Sequence, residues 1–103
     1  MHARVSRIRG DKAAIESGTR WFTDELVPQL EQIPGYRDAM LLIDRAHGES
    51  LAITFWDSAD AMAESERRAD QLRAAGASAL SGAVAGVERF EVAVQASSIS
   101  ASA

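Results

Sequence analysis

Residues 40–58, MLLIDRAHGESLAITFWDS, constrain the fold more than any other stretch of this chain. Two apolar runs, residues 40–43 and 51–56, flank a polar segment, residues 44–50, that contains Gly48. Such a pattern predicts a β-hairpin with a loop longer than the two-residue minimum. In the second run Leu51, Ile53 and Phe55 fall on one face of a sheet, and Ala52, Thr54 and Trp56 on the other. In the first, Ala39, Leu41 and Ile43 oppose Met40 and Leu42. Strands that are apolar on both faces need cover on both faces. What covers each face is the question the remaining residues must answer.

Before the hairpin, residues 2–9 (HARVSRIR) read as a first strand, ended by Gly10-Asp11. Asp11 is a suitable N-cap for a helix beginning at Lys12. Ile15, Gly18, Phe22, Leu26, Leu30 and Ile33 recur at helical spacing, widened by Ala14 and Trp21. Pro28 lies inside this pattern, where a missing N–H predicts a kink or a division of the helix. Pro34-Gly35 ends it, and Tyr36 opens the second strand.

After the hairpin, Asp57 or Ser58 caps a second helix expected from Ala59 to about Ala75. Ala61, Met62, Ser65, Ala69 and Leu72 form its inward stripe, and Glu64, Glu66, Arg67, Arg68, Asp70 and Arg73 a solvated face. Residues 76–82 read as a frayed end and a loop, and residues 84–95 hold a last strand with Val87, Phe90, Val92 and Val94. The small, polar residues 96–103 (ASSISASA) are expected to form a disordered tail, leaving one domain over residues 1–95.

At 103 residues the chain suffices for one core. A net charge of −4 without a basic block lacks the electrostatic footprint of a nucleic-acid binder. No run approaches a membrane span and no leader opens the chain, so a cytoplasmic protein without membrane partners is expected. The absence of cysteine excludes disulfides, thiol catalysis and thiolate metal sites. Abundant arginine and alanine fit a GC-rich bacterial genome.

The order β-α-β-β-α-β defines an α+β fold of the ferredoxin-like kind: a four-stranded antiparallel sheet with both helices on one face. The helices cover one side of the hairpin. The other side keeps residues such as Ile8, Met40 or Leu41, and Ile53 or Thr54, with no chain left to cover it. An apolar sheet face of that size marks an interface, which predicts a homodimer through the open sheet face.

The segments PGYRDAMLLIDRAHGES, ITFWDSADAM and VERFEVAV resemble the antibiotic biosynthesis monooxygenase family of dimeric α+β barrels, over nearly the whole chain apart from the serine/alanine tail. The carriers of the likeness are a Pro-Gly-aromatic turn and a strand ending Trp-Asp-Ser before an acidic helix start. This resemblance implies a cofactor-independent monooxygenase acting on a small aromatic or quinol-like molecule in a pocket between helices and sheet. The alternative it leaves is a non-catalytic small-molecule-binding or dimerisation module of the same fold. Haem-degrading relatives use an asparagine, a tryptophan and a histidine where this chain places Ala3, Ser65 and Ala75, so haem breakdown of that type is not expected. Quinol-oxidising relatives use tryptophan, tyrosine, asparagine and arginine; this chain has no asparagine but offers Trp21, Trp56, Tyr36, Arg4, Arg7 and Arg37.

Trp21, Phe22, Phe55, Trp56, Met62 and Arg7 are the pocket candidates; no catalytic residue is singled out. Trp56, closing a strand just before a helix cap, reads first as a core anchor, because aromatics dominate core energetics. Only one of the adjacent Trp21 and Phe22 can point squarely at the sheet, leaving the other for a pocket. Arg4, Arg7 and Arg9 could bind an anion, or could guard an edge strand against further pairing. His2 at the chain start and His47 in the hairpin loop are poorly placed for a general base. No metal triad, nucleophile–base pair or phosphate-binding glycine loop stands out, and neither cofactor nor metal is expected.

Overall fold

The computed structural model describes residues 1–96. Four strands, β1 (His2–Arg9), β2 (Tyr36–Asp44), β3 (Glu49–Trp56) and β4 (Ala83–Glu91), form one antiparallel sheet in the order β2-β3-β1-β4. A first helical stretch links β1 to β2, and a second links β3 to β4. This is the predicted ferredoxin-like arrangement, with the helices on one face. The expected tail falls largely outside the described residues.

The first helical stretch opens with a 3-10 turn, Lys12–Ala14, capped by the Asp11 carboxylate, which accepts from the Ala13 N–H. It continues as α1 (Ile15–Trp21), a π-helical segment (Phe22–Leu26) and α2 (Val27–Leu30). Pro28 divides the helix without ending it. Proline has no N–H, and its ring crowds the carbonyl four residues earlier. The turn before it widens, and Val27 donates to the Phe22 carbonyl, five residues back. Ile15, Gly18, Leu26 and Leu30 are buried, as their spacing predicts.

The second helical stretch comprises α3 (Ala59–Glu64) and α4 (Glu66–Ala79), broken at Ser65. Ser58 caps α3 by accepting from the Ala61 N–H. The expected fraying from residue 76 does not occur. Helix α4 continues because Gly76 and Ala77 are buried, Gly76 lying against the Trp21 ring with no side chain to hold it off. Strand β4 starts one residue earlier than expected and ends at Glu91, so Val92 and Val94 lie beyond it, contrary to expectation, with Val94 exposed. The hairpin loop is shorter than the polar segment, since Asp44 already pairs with Glu49. Gly48 turns that loop at φ 65°, a conformation L side chains rarely adopt.

Strand register assigns the faces. Arg4 pairs with Thr54, Ser6 with Ala52 and Ile8 with Ser50, all toward the helices. Ile8 is 3% exposed and packs with Ala77 and Leu80, so its expected place on the open face is overturned. Its apolar neighbours on that strand had not fixed which parity faced the helices. The open face carries Met40 opposite Ile53 and Leu42 opposite Leu51, with Phe90 opposite Ala3. Met40, Leu42 and Phe90 are each about half exposed.

The main core cluster joins Leu26, Leu30, Trp56, Met62 and Leu72, with Trp21, Phe22, Ile33, Tyr36 and Ala39 against it. An irregularity between Tyr36 and Asp38 puts Tyr36 opposite Trp56. Tyr36 then meets the indole edge-on, ring centroids 6.0 Å apart. No described helix is long and apolar enough to cross a membrane.

Candidate functional site

Between the helices and the sheet lies a cavity of about 50 Å³ that opens outward, with about 590 Å³ of atom-free space continuous with solvent. The first helical stretch lines it with Trp21, Phe22, Leu26 and Leu30, and α4 with Ala69, Leu72, Arg73 and Gly76. The floor is Arg4, Ser6 and Ile8 of β1 with Leu41, Ala52 and Thr54 of β2 and β3. Gly18 and Gly76 give the space its walls: a Cβ at Gly18 would run into the Leu80 side chain, and one at Gly76 would sit 3.4 Å from Trp21.

One wall is polar and strongly cationic. Arg4 is only 2% exposed. Its Nη2 donates to the Met62 carbonyl (2.8 Å), Ser65 Oγ (2.9 Å) and Glu66 Oε1 (2.9 Å), and its guanidinium carbon lies 5.4 Å from the centre of the Trp56 ring. Arg89 forks onto Glu66, its Nε 2.7 Å from Oε1 and its Nη2 2.8 Å from Oε2. Arg73 donates from Nε to Ser6 Oγ at 3.1 Å and from Nη1 to Asp70 at 3.0 Å. Its Nη2 is buried without a hydrogen-bond partner among the described residues, 4.0 Å from Glu66 Oε2.

Three guanidinium groups thus converge on one carboxylate. Hydrogen bonding from Arg89, and then from Arg4, holds Glu66 well below the ordinary carboxylate range, at about 2. Burial lowers the pKa of Arg4 and the Glu66 carboxylate opposes it; guanidinium keeps its proton in proteins regardless. A buried cation normally finds a partner for every donor. The orphan Arg73 Nη2 is the exception, and it belongs to a side chain lining the cavity.

Of the pocket candidates, Trp21 and Phe22 line the cavity. Trp56 is fully buried and Met62 nearly so, in the core beside it. Phe55 pairs with Ala3 and Arg7 with Leu51, both on the open face, so the structure does not bring these two into the cavity. Sheet parity puts them there: each stands one residue from a helix-facing neighbour. Strand β1 lies between β3 and β4, which removes the edge-guarding reading of its arginines. Glu66 and Arg73, expected on a solvated face, turn inward to the arginine cluster, with the Arg73 side chain 9% exposed. Arg73 had a signal, lying one turn after inward Ala69 and next to Leu72. His2 is partly buried outside the cavity lining, and its Nδ1 has no partner among the described residues. His47 is exposed and bonded to Asp44, which raises its pKa.

No family model matches the chain. An uncharacterized protein of Mycobacterium tuberculosis, Rv2557, is 30% identical over 93 residues, covering 90% of this chain and 41% of its own length. The chain therefore spans about two-fifths of the curated relatives it matches. Among solved structures, the haem-degrader MhuD of Mycobacterium tuberculosis superposes with a TM-score of 0.73 at 18% identity, over 94% of this chain and 100% of that one. SnoaB, a cofactor-independent oxygenase from Streptomyces nogalater, gives 0.65 at 19% identity, over 91% and 94%. A Streptomyces coelicolor monooxygenase bound to nanaomycin D gives 0.65 at 18% identity, over 93% and 92%. A protein from Deinococcus radiodurans described as a putative antibiotic biosynthesis monooxygenase gives 0.67 at 13% identity, over 94% and 97%, and this chain has the ferredoxin-like fold of these neighbours.

Proposed function

We propose that the chain is a cofactor-independent monooxygenase acting on a small aromatic molecule with an ionisable hydroxyl, such as a naphthol or quinol. The observation that carries this reading is a cavity walled by Trp21, Phe22 and aliphatic side chains whose polar edge includes the Arg73 guanidinium, a cation with one buried, unpartnered nitrogen. The aromatic and aliphatic walls hold a flat ring. A fixed cation stabilises the phenolate and the negative charge that reaches oxygen, an effect worth on the order of 10²-fold in rate for one preorganised donor.

The lining holds no carboxylate or imidazole, so the hydroxyl proton leaves to water through the open mouth. The phenolate then reduces O₂, which adds to the activated ring carbon as a hydroperoxide. Loss of water breaks the O–O bond and leaves a carbonyl. In sum, one hydroxyarene and one O₂ give one quinone and one water, and the substrate supplies all the electrons. The lining has no histidine, cysteine, methionine or tyrosine to ligate haem iron, so MhuD-type chemistry does not suit this cavity.

The half-exposed Met40, Leu42 and Phe90 around Leu51, Ile53 and Phe55 support a homodimer in which two open sheet faces pack together.

The test is turnover of 1,5-dihydroxynaphthalene to its 5-hydroxy-1,4-quinone in air, with chelator present and no cofactor added. Wild-type protein is expected to accelerate it, and Arg73→Gln to lower kcat/KM by about 100-fold. Rates equal to buffer would reject catalysis. Tight binding without turnover would favour a carrier or sensor of the same ligand class.

A further inference from the structure

The side-chain hydroxyls around the cavity divide by what their O–H does. Ser65 Oγ accepts from Arg4 at 2.9 Å and donates to the Met62 carbonyl at 2.7 Å, so both its functions are spent inside the protein. Thr19 Oγ1 donates to the Ile15 carbonyl, one turn back on its own helix. Thr54 differs. Its Oγ1 accepts from the Trp56 indole N–H at 3.0 Å, and its own O–H has no acceptor among the described residues. Ser6 is in the same state, accepting from Arg73, but it is only 7% exposed. Thr54 is half-buried and lines the cavity floor. It stands on the helix-facing side of β3, between Ala39 and Arg4, so its open surface is cavity surface. We infer that the Thr54 hydroxyl is the neutral donor that takes the ligand's oxygen. The inference rests on the reading of the cavity as a site for an oxygen-bearing aromatic, and adds which edge of that ring meets the sheet.

An indole N–H can only donate, and the Trp56 ring is fully buried, so one lone pair of Oγ1 is committed to it. The O–H keeps the remaining directions. A neutral hydroxyl serves a hydroxyl or carbonyl oxygen as well as an ionised one, so it can hold the substrate before proton loss and the quinone after oxidation. The ligand's oxygen then points to the sheet and its hydrocarbon edge to Trp21 and Phe22 on the helical side. A hydrocarbon of the same outline would strip the O–H of solvent without supplying an acceptor, and that penalty sets the selectivity.

The experiment uses two probes of one outline, 2-acetylnaphthalene and 2-isopropenylnaphthalene, in which a C=CH₂ group replaces the C=O. Equilibrium dialysis measures binding, and infrared difference spectroscopy the C=O stretch of the bound ketone. Thr54→Val keeps the side chain's shape and removes the hydroxyl. It is expected to weaken ketone binding about tenfold, the worth of one neutral hydrogen bond, and to leave the alkene unchanged. The C=O stretch, lowered in the wild-type complex, should rise in Thr54→Val and fall again in Thr54→Ser. Because Thr54→Val leaves the buried indole N–H without its acceptor, Thr54→Cys replaces it should the valine variant not fold. The cysteine sulfur still accepts from the indole, and its S–H donates only weakly. Equal loss of both probes would mark a merely structural role and overturn the proposal, as would a C=O stretch that does not move between wild type and variant. Wild-type protein that binds ketone and alkene alike would overturn the Thr54 assignment alone. Protein that binds neither would reject the aromatic-site reading together with it.

Discussion

Replacing Trp56 with alanine tests whether the strand-to-helix corner is the core's keystone or a wall of the cavity. The indole is fully buried in the cluster of Leu26, Leu30, Met62 and Leu72. Truncating such a residue costs about 3–5 kcal/mol through lost transfer energy and the cavity left behind. Three further contacts push the expected value to the upper end. The edge-on Tyr36 pair contributes about 0.5–1.5 kcal/mol, and the Arg4 contact at 5.4 Å about 1–2 kcal/mol where it is desolvated. The Nε1–H donates to Thr54 Oγ1 at 3.0 Å, and its loss strips that hydroxyl of a donor. These contributions overlap, so the expected loss is about 5 kcal/mol rather than their sum. Urea unfolding at fixed protein concentration, followed by far-ultraviolet circular dichroism, measures it. Trp56→Phe, which keeps a ring against Tyr36, should lose about half as much. A loss below about 1.5 kcal/mol for the alanine variant would refute the core assignment.

Other outcomes follow from the same contacts. If the proposed sheet-to-sheet dimer forms, wild-type protein sediments at twice the chain mass and Leu42→Asp, on the open sheet face, as a monomer, because the variant would bury an unpaired charge between the two sheets. Gly35 sits at φ 85°, where a Cβ would strike Ala61; Gly35→Ala should lower stability by about 1–3 kcal/mol in the same urea assay. Glu66 has a folded pKa depressed to about 2 from 4.5. Its stabilisation is therefore complete above about pH 4.5 and lost as pH falls toward 2, a decline that Glu66→Gln should flatten. Haemin should give no saturable Soret shift at one haem per chain, since the cavity lining offers no axial ligand.

Much of the fold was legible in residue periodicity. The two-faced hairpin dictated cover on both sides, and the helical spacing of Ile15 to Leu30 supplied one cover. Trp56 was readable as core from its place at the end of a strand. Pro28 announced a local disruption, although its outcome depended on whether the helix could widen into a π turn, which tertiary packing decides. The end of α4 was misread because Gly76 and the serines after it lower apparent helix strength, whereas here Gly76 is what admits Trp21.

The site was only half legible. Trp21 and Phe22 carried an apolar signal on a helix, and both line the cavity. Phe55 and Arg7 lay one residue out of phase, and a strand apolar on both faces does not reveal which parity meets the helices. Arg73 and Glu66 looked like ordinary surface charges of a helix. Their burial depends on Arg4 and Arg89 arriving from two strands more than 20 positions away from Glu66 in the chain, a convergence that only the folded sheet creates.

On the proposed function, this cavity turns O₂ onto a bound hydroxyarene with no help but its own side chains. Mass spectrometry of the quinone formed from 1,5-dihydroxynaphthalene under ¹⁸O₂, with chelator present, tests it most directly. One ¹⁸O atom is expected in the new carbonyl of the product, formed faster than in protein-free buffer and at much reduced rate by Arg73→Gln. Product whose new oxygen comes from water, or formed no faster than in buffer, would contradict it.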